Sequence, residues 1–115
     1  DRFFFKVTVP FPSTAELVEI ANRTTGAKAP QTRKVCDGAT IAAMQGLARS
    51  VPIASHVLMY AARLISATHP TEKEASPAAR QYVRYGASPR GMQALILAAK
   101  ITALLAGRYN VSFDA

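Results

Sequence analysis

The chain has no tryptophan, a single cysteine, and half as many acidic as basic residues, 7 Asp and Glu against 14 Lys and Arg. The lone Cys36 excludes an internal disulfide and fits a reducing compartment, so the cytoplasm is the expected location. Charged residues make up only 18% and hydrophobic ones 50%, the reverse of the balance that keeps a chain disordered. A packed core is therefore expected. Long apolar runs are also missing. The longest uncharged stretch in the middle of the chain, Ser50 to Ala62, falls short of the ~18 residues of a membrane span, so no membrane partner is expected. Phe3-Phe4-Phe5 is too short for the apolar region of a signal peptide, and no small-residue cleavage site follows it. With 115 residues the chain reads as one small domain. It begins at Asp1 inside an apolar segment and stops at Asp114-Ala115 as a new helix begins, so both ends read as cut from a longer chain.

The formal charge of +7 invites a nucleic-acid reading. The cations are scattered singly along the chain, and only Arg33-Lys34 are adjacent. A surface built to neutralise phosphates clusters its charge, so nucleic acid is not the expected partner. The alternative, a basic helical nucleic-acid-binding module, requires Arg33, Lys34, Arg49, Arg63, Arg80 and Arg84 to converge on one face.

Phe3 to Val9 carries β-branched and aromatic residues and reads as a short strand stopped by Pro10, with its ladder partners outside this stretch. Ser13 and Glu16 form a capping box that opens a helix of about 14–24, ended near Gly26. After the polar, Pro30-broken connector 27–36, Asp37 caps a helix of about 39–50. A third helix spans about 53–67, with Val57, Tyr60, Ala61, Leu64 and Ile65 on one face. Thr68 to Ser76 is a loop. Ser76-Pro77 opens a short helix to about Tyr85, with Gly86 as a left-handed stop. Ser88-Pro89 repeats the device and opens the longest helix, about 89–106, closed by Gly107. Ser112 can cap a final turn. The fold class is all-α, a small bundle of four to five helices preceded by one orphan strand.

Residues 86–93 contain two motif fragments. Gly86 and Gly91 have the glycine spacing of a phosphate-binding loop, but Met92-Gln93 stand where that motif needs Lys-Ser/Thr. Gly86-x-Ser88-x-x-Gly91 is one residue out from a nucleophile elbow. A Ser88 hydrolase would need a histidine at its hydroxyl, and N-capping accounts for Ser88 without one. Arg90 is different: it is a cation inside a helix N-terminus, where the macrodipole favours anions. Either it shares an anion with the free amides there, or it is solvated or salt-bridged. His56 reads as structural, with no metal-ligand neighbour, and His69 as a surface residue before Pro70. Cys36 is a free connector thiol, and Glu72 and Glu74 are too close in sequence for paired-carboxylate catalysis. Tyr82 and Tyr85, at i and i+3, read as sealing a helix onto its neighbour rather than stacking on nucleobases with Arg84. No metal site is expected.

Gly86-Ala87-Ser88-Pro89-Arg90 resembles the sensor 2 motif of MoxR-type AAA+ ATPases, at the start of a lid helix. Other segments agree in order and spacing. Asp1-Arg2-Phe3, the F-K-V segment and Pro12-Ser13 resemble the family's D-R-F stretch, last core strand and P-S-x-x-E lid start. Val51-Pro52-Ile53 through Ala67-Thr68 resembles its third lid helix, and Gly107-Arg108-Tyr109-Asn110-Val111 its G-R-x-x-V stretch. The resemblance runs from 1 to 115. It departs at Gly91, usually alanine, at His69, usually arginine, and at Ser112-Phe113-Asp114, which lacks the usual threonine-proline.

The resemblance implies that residues 1–10 end the ATPase core and 11–115 form the lid. Arg90 would be the sensor 2 arginine at the ATP γ-phosphate, with Gly86, Ser88 and Pro89 shaping the phosphate-facing turn. Arg2 would be an arginine finger for a neighbouring subunit's nucleotide. The parent would be an ATP hydrolase that uses Mg2+, forms a ring, expected to be hexameric, and remodels partners in a chaperone-like way, often proteins with von Willebrand factor A domains. A lid of a helicase-like AAA+ protein is the related alternative. Walker A, Walker B and sensor 1 are absent, so this stretch alone is expected to catalyse nothing and to bind nucleotide at millimolar affinity or weaker.

Overall fold

Three of the helices begin on a side chain that covers an otherwise orphan amide. The computed structural model describes residues 3–28 and 31–114, and among these it forms α1 (Thr14–Thr25), α2 (Gly38–Ser50), α3 (Ser55–Ala67), α4 (Pro77–Tyr82) and α5 (Pro89–Leu105). At α1 the Glu16 amide donates to Ser13 Oγ at 3.3 Å, while the Ser13 amide and hydroxyl both donate to Glu16 Oε2 at 2.7 Å. These bonds, the hydroxyl's first, hold the Glu16 carboxyl below its ordinary pKa. At α2 the Thr40 amide and hydroxyl each donate to Asp37 Oδ1 at 2.8 Å, and both lower the Asp37 carboxyl, the amide more. At α4 the Ala79 amide donates to Ser76 Oγ at 3.1 Å, with Pro77 in the first helical position.

α5 is the axis of the bundle, and α2 and α3 both pack against it. The residues that let the helices approach are small: Ala48, Ala61, Ala79, Ala99 and Ala103 are buried, with Ala103 fully so. Val51, Val57, Ala99 and Val111 form the central cluster, flanked by Ile53 and Leu104. The chain after α5 reaches this cluster through a Schellman turn. Gly107 takes φ 68°, its amide donates to Leu104 O at 3.0 Å, and the Arg108 amide donates to Ala103 O at 2.8 Å. Only glycine adopts that conformation without strain. Val111 then lies parallel to Ile53 in an isolated bridge, its amide donating to Pro52 O at 3.1 Å.

Several expectations change in the folded chain. Phe3 to Val9 forms no strand: it has no neighbouring strand among the described residues to complete a ladder, and its side chains are exposed. The core is also thinner than the composition suggested. The radius of gyration is 20.2 Å, against about 13 Å for a compact domain of this length. α1 is one reason, since it buries no residue and leaves Leu17, Val18 and Ile20 exposed. It ends at Gly26 in extended backbone, not left-handed. α4 stops at Tyr82, short of Tyr85, and both tyrosines are about three-quarters exposed, so neither seals a helix. Tyr85 instead lies under the Arg84 guanidinium, 5.2 Å from the ring centroid. Ser112 accepts a hydrogen bond from the Arg108 guanidinium, and a turn follows at 113–114.

Candidate functional site

The segment Gly86–Arg90 forms the junction between α4 and α5, and the end of α3 sets its position. Thr68 Oγ1 donates to Ile65 O at 2.6 Å, which orients the hydroxyl to accept the Ala87 amide at 2.8 Å. The next residue, His69, places Nε2 2.9 Å from Ala87 O. Because a carbonyl only accepts, the proton is on Nε2. Both backbone polar groups of Ala87 are thus held by two consecutive residues from the far side of the α3–α4 loop.

Gly86 is required here for space. It does not take positive φ, so it is not a left-handed stop. A Cβ at this position would meet the His69 ring at 2.5 Å, closer than side-chain atoms can approach. The chain leaves α4 early, with Val83 extended, and bends at 84–85 before it meets Thr68 and His69. The loop between α3 and α4 is tied down from its other end by Arg80, whose guanidinium donates to Glu72 O at 3.1 Å and to Lys73 O and Ala75 O at 3.3 Å.

Ser88 occupies the N-cap position of α5, yet its hydroxyl makes no capping hydrogen bond, unlike Ser13 and Ser76. Pro89 follows at the first helical position. Arg90 is exposed and has no salt bridge among the described residues, where Arg23 with Glu19 is the one such pair. Of the two ordinary states, solvated or salt-bridged, the structure leaves Arg90 in the solvated one among the described residues. Gly91 is uncrowded: an added Cβ would meet Ala87 Cβ at 3.6 Å, an ordinary contact, so the departure from alanine is sterically neutral.

This junction borders an open cleft of about 1370 Å³, bounded elsewhere by Phe3–Phe5, Leu58, Arg49 and the flank of α5. Among the described residues, two arginines, Arg49 and Arg90, reach its lining and no carboxylate does. Lys100 holds the Arg49 backbone in place, its Nζ donating to Arg49 O at 2.8 Å. The cleft is therefore electropositive and suited to an anion. Arg2 lies outside the described residues.

Other candidates separate from this site. His69 uses Nε2 on Ala87 O, one residue from Ser88, and His56 packs on Phe113 with ring centroids 5.6 Å apart. Tyr60 meets the same Phe113 edge-on at 5.3 Å. Ser88 thus has no histidine partner among the described hydrogen bonds. Cys36 is exposed, and Glu72 and Glu74 stay in the α3–α4 loop. Among the described residues no three His, Cys, Asp or Glu side chains gather as a metal group, and no helix is long and apolar enough to cross a membrane. Sequence reasoning missed Thr68, His69 and Arg49. The one available signal was the histidine following Ala67-Thr68.

Residues 75–115 match the AAA lid domain family. Over 108 residues the chain is 32% identical to Chaperone MoxR1 of Mycobacterium tuberculosis (strain ATCC 25618 / H37Rv). The alignment covers 94% of this chain and 28% of that protein. No solved structure matches the chain.

Proposed function

The chain belongs to the MoxR-type AAA+ proteins as a lid, and on that premise we propose that it couples the nucleotide state of its parent to lid position through Arg90. The observation that carries this reading is an exposed arginine in the first turn of α5, with no ion pair among the described residues, on a cleft whose described charged groups are both arginines. An arginine there faces the positive end of the helix dipole, which is unfavourable by a few tenths of a kcal/mol. The Gly91 amide already donates to Ser88 O at 2.8 Å and Pro89 has no N–H, so a phosphate shared between the guanidinium and the Arg90 amide is what reverses that sign. The uncapped Ser88 leaves its hydroxyl available as a further donor, while Gly86 and Pro89 set the turn.

In this proposal residues 11–115 are the lid and 1–10 end the ATPase core. Arg90 contacts the γ-phosphate of ATP held by the rest of the parent, which also supplies the ligands for Mg2+. The magnesium ion neutralises charge on the phosphates. Arg90 draws the lid toward the core while the γ-phosphate is present and releases it afterwards, and a rigid-body movement of this kind is a usual output of nucleotide switches. Arg2 serves a neighbouring subunit as an arginine finger, worth about 10³–10⁵ in turnover where such residues act. The parent works as a ring, proposed to be a hexamer in the cytoplasm, and remodels a partner such as a von Willebrand factor A domain protein. Leu17, Val18 and Ile20 on the unpacked α1 suit a domain that docks on neighbouring parts of its parent.

Backbone hydrogen exchange in the full-length parent tests the contact. The Arg90 amide is expected to exchange more slowly with a non-hydrolysable ATP analogue than with ADP. Equal exchange in both nucleotide states would refute the γ-phosphate contact.

A further inference from the structure

Two residues outside α5 hold the Gly86–Ser88 turn. Ala87 is fixed at both of its backbone polar groups, the amide by Thr68 Oγ1 at 2.8 Å and the carbonyl by His69 Nε2 at 2.9 Å. The His69 ring also fills the space that any side chain at 86 would need. Thr68 and His69 are themselves immobilised by the end of α3. Their amides donate to Ile65 O at 3.1 Å and Ser66 O at 3.0 Å, and the Thr68 hydroxyl donates to Ile65 O. On the other side, the His69 carbonyl accepts the Glu72 amide at 3.1 Å. Ala87 stands one residue before the N-cap of α5 and three before Arg90.

We infer that Thr68 and His69 are positioning residues for Arg90: they register the start of α5 against the end of α3 and so fix where the guanidinium enters the cleft. The inference rests on the proposed role of Arg90. The physical reason is the shortness of the link. Pro89 restricts φ at the first helical position, so few backbone torsions separate the clamped Ala87 from Arg90. A misplacement of about 1 Å at a group that stabilises a transition state costs up to about a hundred-fold. Neither residue touches the phosphate; both act through the backbone of Ala87. The Nε2–H donor is present in one neutral tautomer and in the imidazolium, so the clamp persists when His69 is protonated.

The test is a double-mutant cycle on ATP turnover by the full-length parent. His69→Leu keeps bulk and removes the donor, and His69→Gln keeps an N–H donor at a similar reach. His69→Leu is expected to lower turnover about ten-fold, the size of one hydrogen bond lost, and His69→Gln to restore it to within about two-fold. In an Arg90→Ala background His69→Leu is expected to change nothing further, because the residue it positions is gone. Multiplicative losses in the double variant would overturn the inference, as would wild-type turnover of His69→Leu beside a slow Arg90→Ala. Unchanged turnover of Arg90→Ala itself would instead remove the Arg90 reading, and this inference with it. Thr68→Val removes only the hydroxyl that accepts the Ala87 amide. If His69→Leu does not fold, the same cycle is run with Thr68→Val, with the same non-additivity expected.

Discussion

Arg90→Ala in the full-length parent, at saturating magnesium and matched oligomeric state, is expected to slow steady-state ATP turnover by about ten-fold to a hundred-fold or more. A hydrogen bond to a charged group contributes about 1.5–3 kcal/mol, and each 1.36 kcal/mol is a factor of ten in rate. The structure supports the upper part of this range. Among the described residues Arg90 makes no salt bridge that would compete with a phosphate, and the cleft it borders carries a second arginine and no carboxylate. Its loss should leave the fold intact, because the side chain is exposed and makes none of the hydrogen bonds that define the junction. Unchanged turnover with an unchanged melting profile would leave Arg90 an ordinary helix-start arginine.

The second large effect is on stability. Val111→Asp is expected to abolish the cooperative thermal transition of this chain, followed by far-UV circular dichroism, while Val111→Ala lowers the midpoint by roughly 8 °C. Val111 is 2% exposed and closes the cluster of Val51, Val57 and Ala99. Its truncation to alanine removes two buried carbons, about 1.6 kcal/mol by burial, and the cavity left behind raises the cost to about 2 kcal/mol; 1 kcal/mol moves the midpoint of a domain this size by about 4 °C. An aspartate there would place an unpaired carboxylate among aliphatic side chains, at a cost of several kcal/mol. That is comparable with the whole stability of a small domain, about 5–15 kcal/mol. This bundle has little reserve, because its buried residues are all alanine or valine. A Val111→Asp variant melting within about 2 °C of the parent chain would show that the cluster is not the core.

The elements that could be read from sequence are those with local causes. Ser13 with Glu16, Asp37, and Ser76 with Pro77 act within one turn, and the structure starts α1, α2 and α4 on them. Gly107 ends α5 in the left-handed conformation for the same reason. Errors arose where the cause was distant. Gly86 has the position of a helix stop, but a histidine 17 residues earlier makes it necessary. Nothing local distinguishes Ser88 from Ser76, yet only Ser76 caps with its side chain. Phe3–Val9 has strand-forming residues and lacks a ladder partner among the described residues. Arg90 was visible as an anomaly of charge at a helix start. The residues holding it in place were not, because Thr68 and His69 meet Ala87 only after α4 has turned the chain back.

Arg90 is proposed to distinguish nucleotide with a γ-phosphate from nucleotide without one. Equilibrium affinities of the full-length parent for a non-hydrolysable ATP analogue and for ADP, wild type against Arg90→Ala, address it directly. The account predicts that the variant loses about ten-fold or more of affinity for the ATP analogue and leaves ADP affinity nearly unchanged, so that the preference for ATP collapses. A variant that retains the wild-type ratio of the two affinities would contradict it.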